Sequence, residues 1–262
     1  MHLLAFFFSV LAAAALGAGG IYLSHTLLPP GTLAGVNDVI GGYIQTVGTV
    51  YGVLLAFVVF VVWTQYNEAA GFTDREANDL FDLFRIAGGF AEPVRTFLMS
   101  QLHTYAVAII GVEWGRMRRG GECERARGAL EAVWGTLEQL EPSGPREQAL
   151  YREALMRFND LSDTRTDRLR ASRTHIPFVL WMLLILGAFV VVGSMALFDL
   201  PSVRLHALIT AALSGAIAHI VYVVYDLDHC FWGSWSITAE PFQRVRVRME
   251  EQLAREASRA VP

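Results

Sequence analysis

Two kinds of hydrophobic pattern alternate along this chain. Four runs are almost continuously apolar, approximately Leu3–Leu27, Ile40–Trp63, Pro177–Phe198 and Val203–Tyr225. Between the second and third runs, from about Thr64 to Ile176, apolar residues instead return at steps of three and four among charged ones. A helix needs about 20 residues to cross roughly 30 Å of hydrocarbon, so each run is long enough to span a bilayer. Helix is the expected form, because an open sheet would leave unpaired amides in lipid. The connections Leu28–Val39 and Asp199–Ser202 are short and carry turn residues, which makes each pair of runs a helical hairpin. The first run also contains Ala-Leu-Gly-Ala, small residues that a signal-peptide cleavage site would use. The lack of a basic n-region and the apolar continuation through IYLSHTLL favour a retained helix.

The insertion reads as helices. TDRE at Thr73–Glu76 has capping-box spacing and marks a helix start. Pro93 opens an apolar-periodic stretch through Phe97, Leu98, Leu102, Tyr105, Ile109 and Trp114, closed by Arg118, Arg119 and the glycines Gly120 and Gly121. Leu130, Val133, Trp134, Leu137 and Leu140 form a second amphipathic face that ends at EPSGP, and Leu150, Leu155, Phe158 and Leu161 continue a third. AVAIIGV is too short to span and belongs to the core of this helical bundle. The expected fold is all-α: a four-helix transmembrane protein with membrane hairpins at 1–63 and 177–228, a helical insertion at 64–176 and a tail at 229–262.

Composition agrees with membrane insertion. Of 262 residues, 53% are hydrophobic and 18% charged, too apolar a balance for an ordinary soluble domain of this length. The net charge of -4 is mild and gives no electrostatic footprint for nucleic acid. Arginines fix the expected orientation: Arg157, Arg165, Arg168, Arg170 and Arg173 precede the third run and Arg244, Arg246 and Arg248 follow the fourth, whereas the hairpin loops offer Arg204. The insertion and both termini are therefore expected on the cytoplasmic side of an inner membrane. No P-loop, GxGxxG, HExxH or GxSxG occurs, so an enzyme is not expected, nor a cofactor apart from calcium considered below. Cys123 and Cys230 make neither a paired-cysteine zinc spacing nor a disulfide framework.

Three places could carry chemistry. On the second run Gly41, Gln45, Gly48, Gly52, Ala56 and Phe60 share one stripe. Small residues at that spacing let helices approach closely; the same stripe would also suit a pore wall, with Gln45 as a polar contact and Phe57 or Phe60 as a constriction that gates by dewetting. On the fourth run Ala211, Gly215, His219, Tyr222 and Asp226 share a face, and an ionisable residue inside a span, here His219, faces protein or water. The stretch YDLDHCFWGSW, Tyr225 to Trp235, brings Asp226 and Asp228 to the membrane surface beside the belt-forming Trp232 and Trp235. Interfacial solvation is the plain reading. The alternative is a divalent site, calcium above all, with Glu68, Glu76, Asp79 and Asp82 approaching from the continuation of the second run. Zinc at Asp228, His229 and Cys230 is disfavoured, since adjacent residues rarely point at one metal. Arg165, Arg168 and Arg170, interleaved with Asp160, Asp163 and Asp167, read as a solvated mixed-sign face or as a vestibule that concentrates anions. Glu113 interrupts an apolar stretch and is expected to pair with Arg116.

Several ordered blocks carry a resemblance: GTVYGVLLAFVVFVVW, YNEAAGFTDREANDLFDLFR, YAVAIIGVEWGRM, RTDRLRASRTHIPFVLWMLLILGAF and LDHCFWGSWSITAEPF. From about Asn37 to Phe242 the chain resembles the bestrophin-like family of bacterial four-pass membrane proteins. Its name marks a distant similarity to bestrophins, which are pentameric anion channels with an acidic calcium-binding stretch after the last membrane helix. The family pattern Leu-Asp-x-Pro-Phe-x-Gly is matched by Leu227, Asp228, Phe231 and Gly233 but departs at Cys230, where proline is usual, so a proline-made bend does not carry over. The resemblance implies a homo-oligomer in the lipid bilayer that passes small ions, anions by the distant analogy, and that is regulated from the cytoplasm. A non-conducting scaffold or sensor, whose insertion binds a cytoplasmic partner, is the reading from another class.

Overall fold

The computed structural model describes residues 2–27, 31 and 34–260, so part of the first hairpin connection and the last two residues lie outside the description. Among the described residues the protein is helical throughout, without strands. The long helices are α1 (His2–Leu27), α2 (Asn37–Ala87), α3 (Val94–Ala108), α5 (Glu124–Glu138), α6 (Pro145–Ala171), α7 (Phe178–Ser194), α8 (Val203–Asp228) and α9 (Glu240–Ala260). The single-turn α4 (Trp114–Met117) follows a π-helical turn at Ile109–Glu113. Four of these, α1, α2, α7 and α8, are long and apolar enough to cross a membrane.

The chain divides into two compact units. The first gathers α1, α2 as far as Tyr66, α7, α8 and the turn Gly233–Trp235. Its core holds Tyr51, Leu55, Val58 and Val62 of α2 against Leu184 and Val191 of α7 and Ile217 and Val224 of α8. Glycine permits two close approaches there. A Cβ at Gly17 would lie 2.4 Å from Ser214 Oγ on α8, and one at Gly187 would lie 2.4 Å from the Tyr51 ring, whose hydroxyl donates to the Leu184 carbonyl at 3.1 Å. Small residues thus let α1 meet α8 and α7 meet α2, where van der Waals contact must supply the cohesion that hydrophobic burial cannot supply in lipid.

The second unit contains α2 from Asn67 onward, α3 to α6 and α9. Leu80, Leu83 and Phe84 pack with Leu98, Leu102 and Tyr105 of α3, Leu130 and Leu137 of α5, and Phe242, Val245 and Met249 of α9. The stretch 229–262, read from sequence as a tail, therefore supplies core residues through α9. TDRE does not start a helix: α2 runs unbroken through it, and the Thr73 hydroxyl donates to the Ala69 carbonyl one turn back. No proline or paired glycine interrupts the chain near Thr73, so the helix has no reason to stop. The breaks at Gly120 (φ +67°) and at EPSGP fall where the sequence places them.

Candidate functional site

The α2 stripe faces away from the core of the first unit. Gln45, Gly52, Ala56, Phe57 and Phe60 are exposed in the single chain and Gly48 is half-buried, while the opposite side of the helix is packed. A Cβ at Gly48 or at Gly52 would meet nothing within 4 Å, so the close helix contacts inside the chain are those of Gly17 and Gly187. On α8, Ser214 and Gly215 are buried, whereas His219 is exposed with its ring edge-on to Phe6 at 5.0 Å; Phe6 also meets Tyr222, at 5.2 Å.

The end of α8 explains the crowding in YDLDHCFWGSW. Asp226 is buried and its carboxylate accepts from the backbone N–H groups of Ser234, at 3.0 and 3.1 Å, and Trp235, at 3.0 Å. Gly233 makes this possible, with φ +128° and a position where a Cβ would fall 2.1 Å from Asp226 Oδ1. The turn that proline makes in the family pattern is built here from a glycine and a carboxylate cap. Asp228 is also buried; its Oδ1 accepts from Ile176 N–H at 2.8 Å, just before α7. His175 Nδ1 lies 3.0 Å from the Asp228 carbonyl and 3.6 Å from its Oδ2, and the His175 and His229 rings are 4.8 Å apart. The sequence reading gave no role to His175. The available signal was antiparallel geometry, since the entry to the third run and the exit of the fourth lie at the same end of a hairpin.

In the second unit the acid and the arginines of the insertion form one buried network. Arg165 grips Glu113 with two hydrogen bonds at 2.7 and 2.8 Å. Arg168, fully buried, donates to Glu76 at 2.6 and 3.0 Å and to Glu113 at 2.7 Å. The Tyr105 hydroxyl donates to Glu76 at 2.5 Å, and Cys123 N–H donates to Glu113 at 2.9 Å. Two carboxylates face two guanidiniums, so the cluster is neutral. Burial alone would raise the Glu113 carboxyl, but the hydrogen bonds and charges of Arg165 and Arg168 outweigh it and hold that group below the ordinary carboxylate range. Burial pushes the Tyr105 hydroxyl well up, and the Glu76 charge beside it adds to this.

These contacts correct two expectations. Glu113 pairs with Arg165 and Arg168 rather than Arg116, because the π turn directs it inward. Arg165 and Arg168, three residues apart on α6, point into the core, whereas Arg170 is on the solvated side. Of the acids weighed for a divalent ion, Glu76 is held by Arg168 and Tyr105, Glu68 is exposed in the second unit, and Asp226 and Asp228 hold different stretches of backbone in the first.

A helical membrane protein built on four apolar helices, with a helical insertion between the second and third, is the class this architecture defines. Within it, residues 11–242 match the Bestrophin-like domain, and the chain belongs to the Bestrophin-like family. No curated protein matches. Among solved structures, two crystal structures of single-substitution variants of a bacterial bestrophin homolog from Klebsiella pneumoniae are similar at TM-score 0.70 and 12% identity. They cover 94% of this chain and 99% and 98% of theirs. A third crystal structure, of a membrane protein, is similar at TM-score 0.68 and 13% identity, covering 94% of this chain and 97% of its own. At such identities the likeness establishes the fold alone.

Proposed function

We propose that this chain is the subunit of a homo-oligomeric ion channel of the bacterial inner membrane, with α2 lining the pathway and the second unit on the cytoplasmic side. The observation that carries this reading is the unpartnered α2 stripe. A glutamine and two glycines have little reason to face hydrocarbon, where an unpaired amide is costly and a missing side chain forgoes contact. Around a symmetry axis the same stripe gives a narrow path with Gln45 as its polar contact and Phe57 and Phe60 as the apolar constriction. His219 and Tyr222 belong on this reading to a neighbouring wall rather than to the path.

Anions are the proposed cargo, by analogy with the bestrophins and the bestrophin homolog of similar fold. The acids at the end of α8 do not oppose this, since backbone N–H groups compensate both Asp226 and Asp228. Arg165 and Arg168 contribute nothing to anion attraction, because their charges are matched by Glu113 and Glu76.

The test is ion flux in liposomes reconstituted with the purified oligomer. Wild type is expected to pass chloride, Phe60→Ala to raise the flux and Gln45→Ala to change ion preference, each severalfold. No flux from intact wild-type oligomers, or flux indifferent to both substitutions, would remove α2 as a conduction path. Recovery of a soluble partner by a non-conducting oligomer would favour the scaffold reading.

A further inference from the structure

We propose that His175, Asp228 and His229 form a binding site for a borderline divalent transition metal, zinc or a first-row relative, at the end of the α7–α8 hairpin. Each residue offers one ligand atom, and the three atoms lie within 4.8 Å of one another. His175 stands three residues before α7 and His229 directly follows α8, so the hairpin brings together two imidazoles 54 positions apart. The carboxylate between them is buried and already oriented, since Oδ1 takes the Ile176 N–H and Oδ2 is turned toward His175. A fixed carboxylate beside two imidazoles is the donor set that zinc, cobalt, nickel and iron(II) prefer.

Tetrahedral bonds of about 2.0–2.1 Å put ligand atoms about 3.3 Å apart, so the set must close by roughly 1.5 Å. Two side-chain rotations suffice, and room for them exists because the His175 side chain is 45% exposed. His229 Nδ1 faces the Tyr225 carbonyl at 2.9 Å, which in a neutral ring makes Nδ1 the N–H and puts the metal-binding lone pair on Nε2. Water would complete the shell from the exposed side. Calcium is served poorly, since it wants six to eight oxygens and this cluster offers one carboxylate. A bound metal would tie the entry of α7 to the exit of α8. The proposal does not depend on conduction.

The experiment uses the full chain in detergent, purified without a polyhistidine tag and stripped with chelator. Zinc titration calorimetry should give one site per chain, and cobalt should give visible d–d absorption. Both His175→Ala and His229→Ala should weaken zinc binding at least tenfold and abolish the cobalt bands, while His103→Ala, on an exposed histidine of the second unit, should change neither. Asp228→Asn is unsuitable alone, because Asp228 also holds the Ile176 backbone. Three results would overturn the proposal: no zinc binding by folded wild type, wild-type affinity in His175→Ala, or calcium displacing zinc at equal concentration. Stability that responds to pH near the histidine range but not to zinc would also overturn it and leave the cluster as a proton-linked ion pair.

Discussion

Glu113 shows how much a single residue's role depends on what reaches it from elsewhere in the chain. It is fully buried, yet two arginines from α6 keep it ionised. Removing one charge from such a set leaves the others buried and uncompensated, which typically costs about 3–5 kcal/mol. Glu113→Gln is therefore expected to destabilise the second unit by roughly that amount at neutral pH, whereas Arg170→Met, on an exposed pair with Asp167, should stay within about 0.5 kcal/mol. The sign of the pH dependence follows from the depressed Glu113 group. Its stabilisation is fully present above the ordinary carboxyl value of 4.5 and is lost as pH falls through the lower folded value. Denaturation followed by tryptophan fluorescence from pH 7 to 3 should show a shallower acid decline in Glu113→Gln than in wild type. Equal slopes would mean that Glu113 is not the group being protonated.

At the scale of elements, glycines separate contacts within a chain from contacts between chains. Gly187→Ala must displace the Tyr51 ring, so it should lower the thermal stability of the solubilised protein by several degrees whatever its state of assembly. Gly52→Leu meets nothing in its own chain, so it should leave subunit folding intact and act through assembly. Gel filtration and helix melting, read together, distinguish the two. An unchanged oligomer profile for Gly52→Leu would place this face against lipid or water rather than a neighbouring subunit. On α8, the Gly233 turn takes over a task that proline performs in the family pattern, which is why the LD-x-x-F-x-G frame survives the change to Cys230.

For the whole molecule, the consequential proposal is which side each unit faces. Arginines near the ends of α7 and α8 favour the cytoplasm for the second unit, although two of those counted, Arg165 and Arg168, are buried in ion pairs. Arg157, Arg170, Arg173, Arg244, Arg246 and Arg248 still outnumber Arg204. A reporter fused at Ser143, between α5 and α6, should accordingly signal cytoplasm. A periplasmic signal there would reverse the orientation and put the His175 cluster in a compartment with different metal supply.

By itself the sequence determined the four spans, the all-helical insertion, its breaks at Gly120 and EPSGP, and the family. Those features depend on local rules: apolar length against bilayer thickness, helical periodicity, and glycine or proline where a helix must stop. It also marked the outward stripe of α2, because one helix face can be read from spacing alone. Only the tertiary structure decided what the polar residues do. Glu76, Glu113, Arg165 and Arg168 look like surface charges when read locally, and their partners lie 52 to 92 positions away. α9 looked like a tail because its apolar side is three residues, Phe242, Val245 and Met249, in an otherwise charged segment. His175 had no motif at all. Charge pairing and metal geometry depend on where side chains from distant segments meet, and only packing sets that distance.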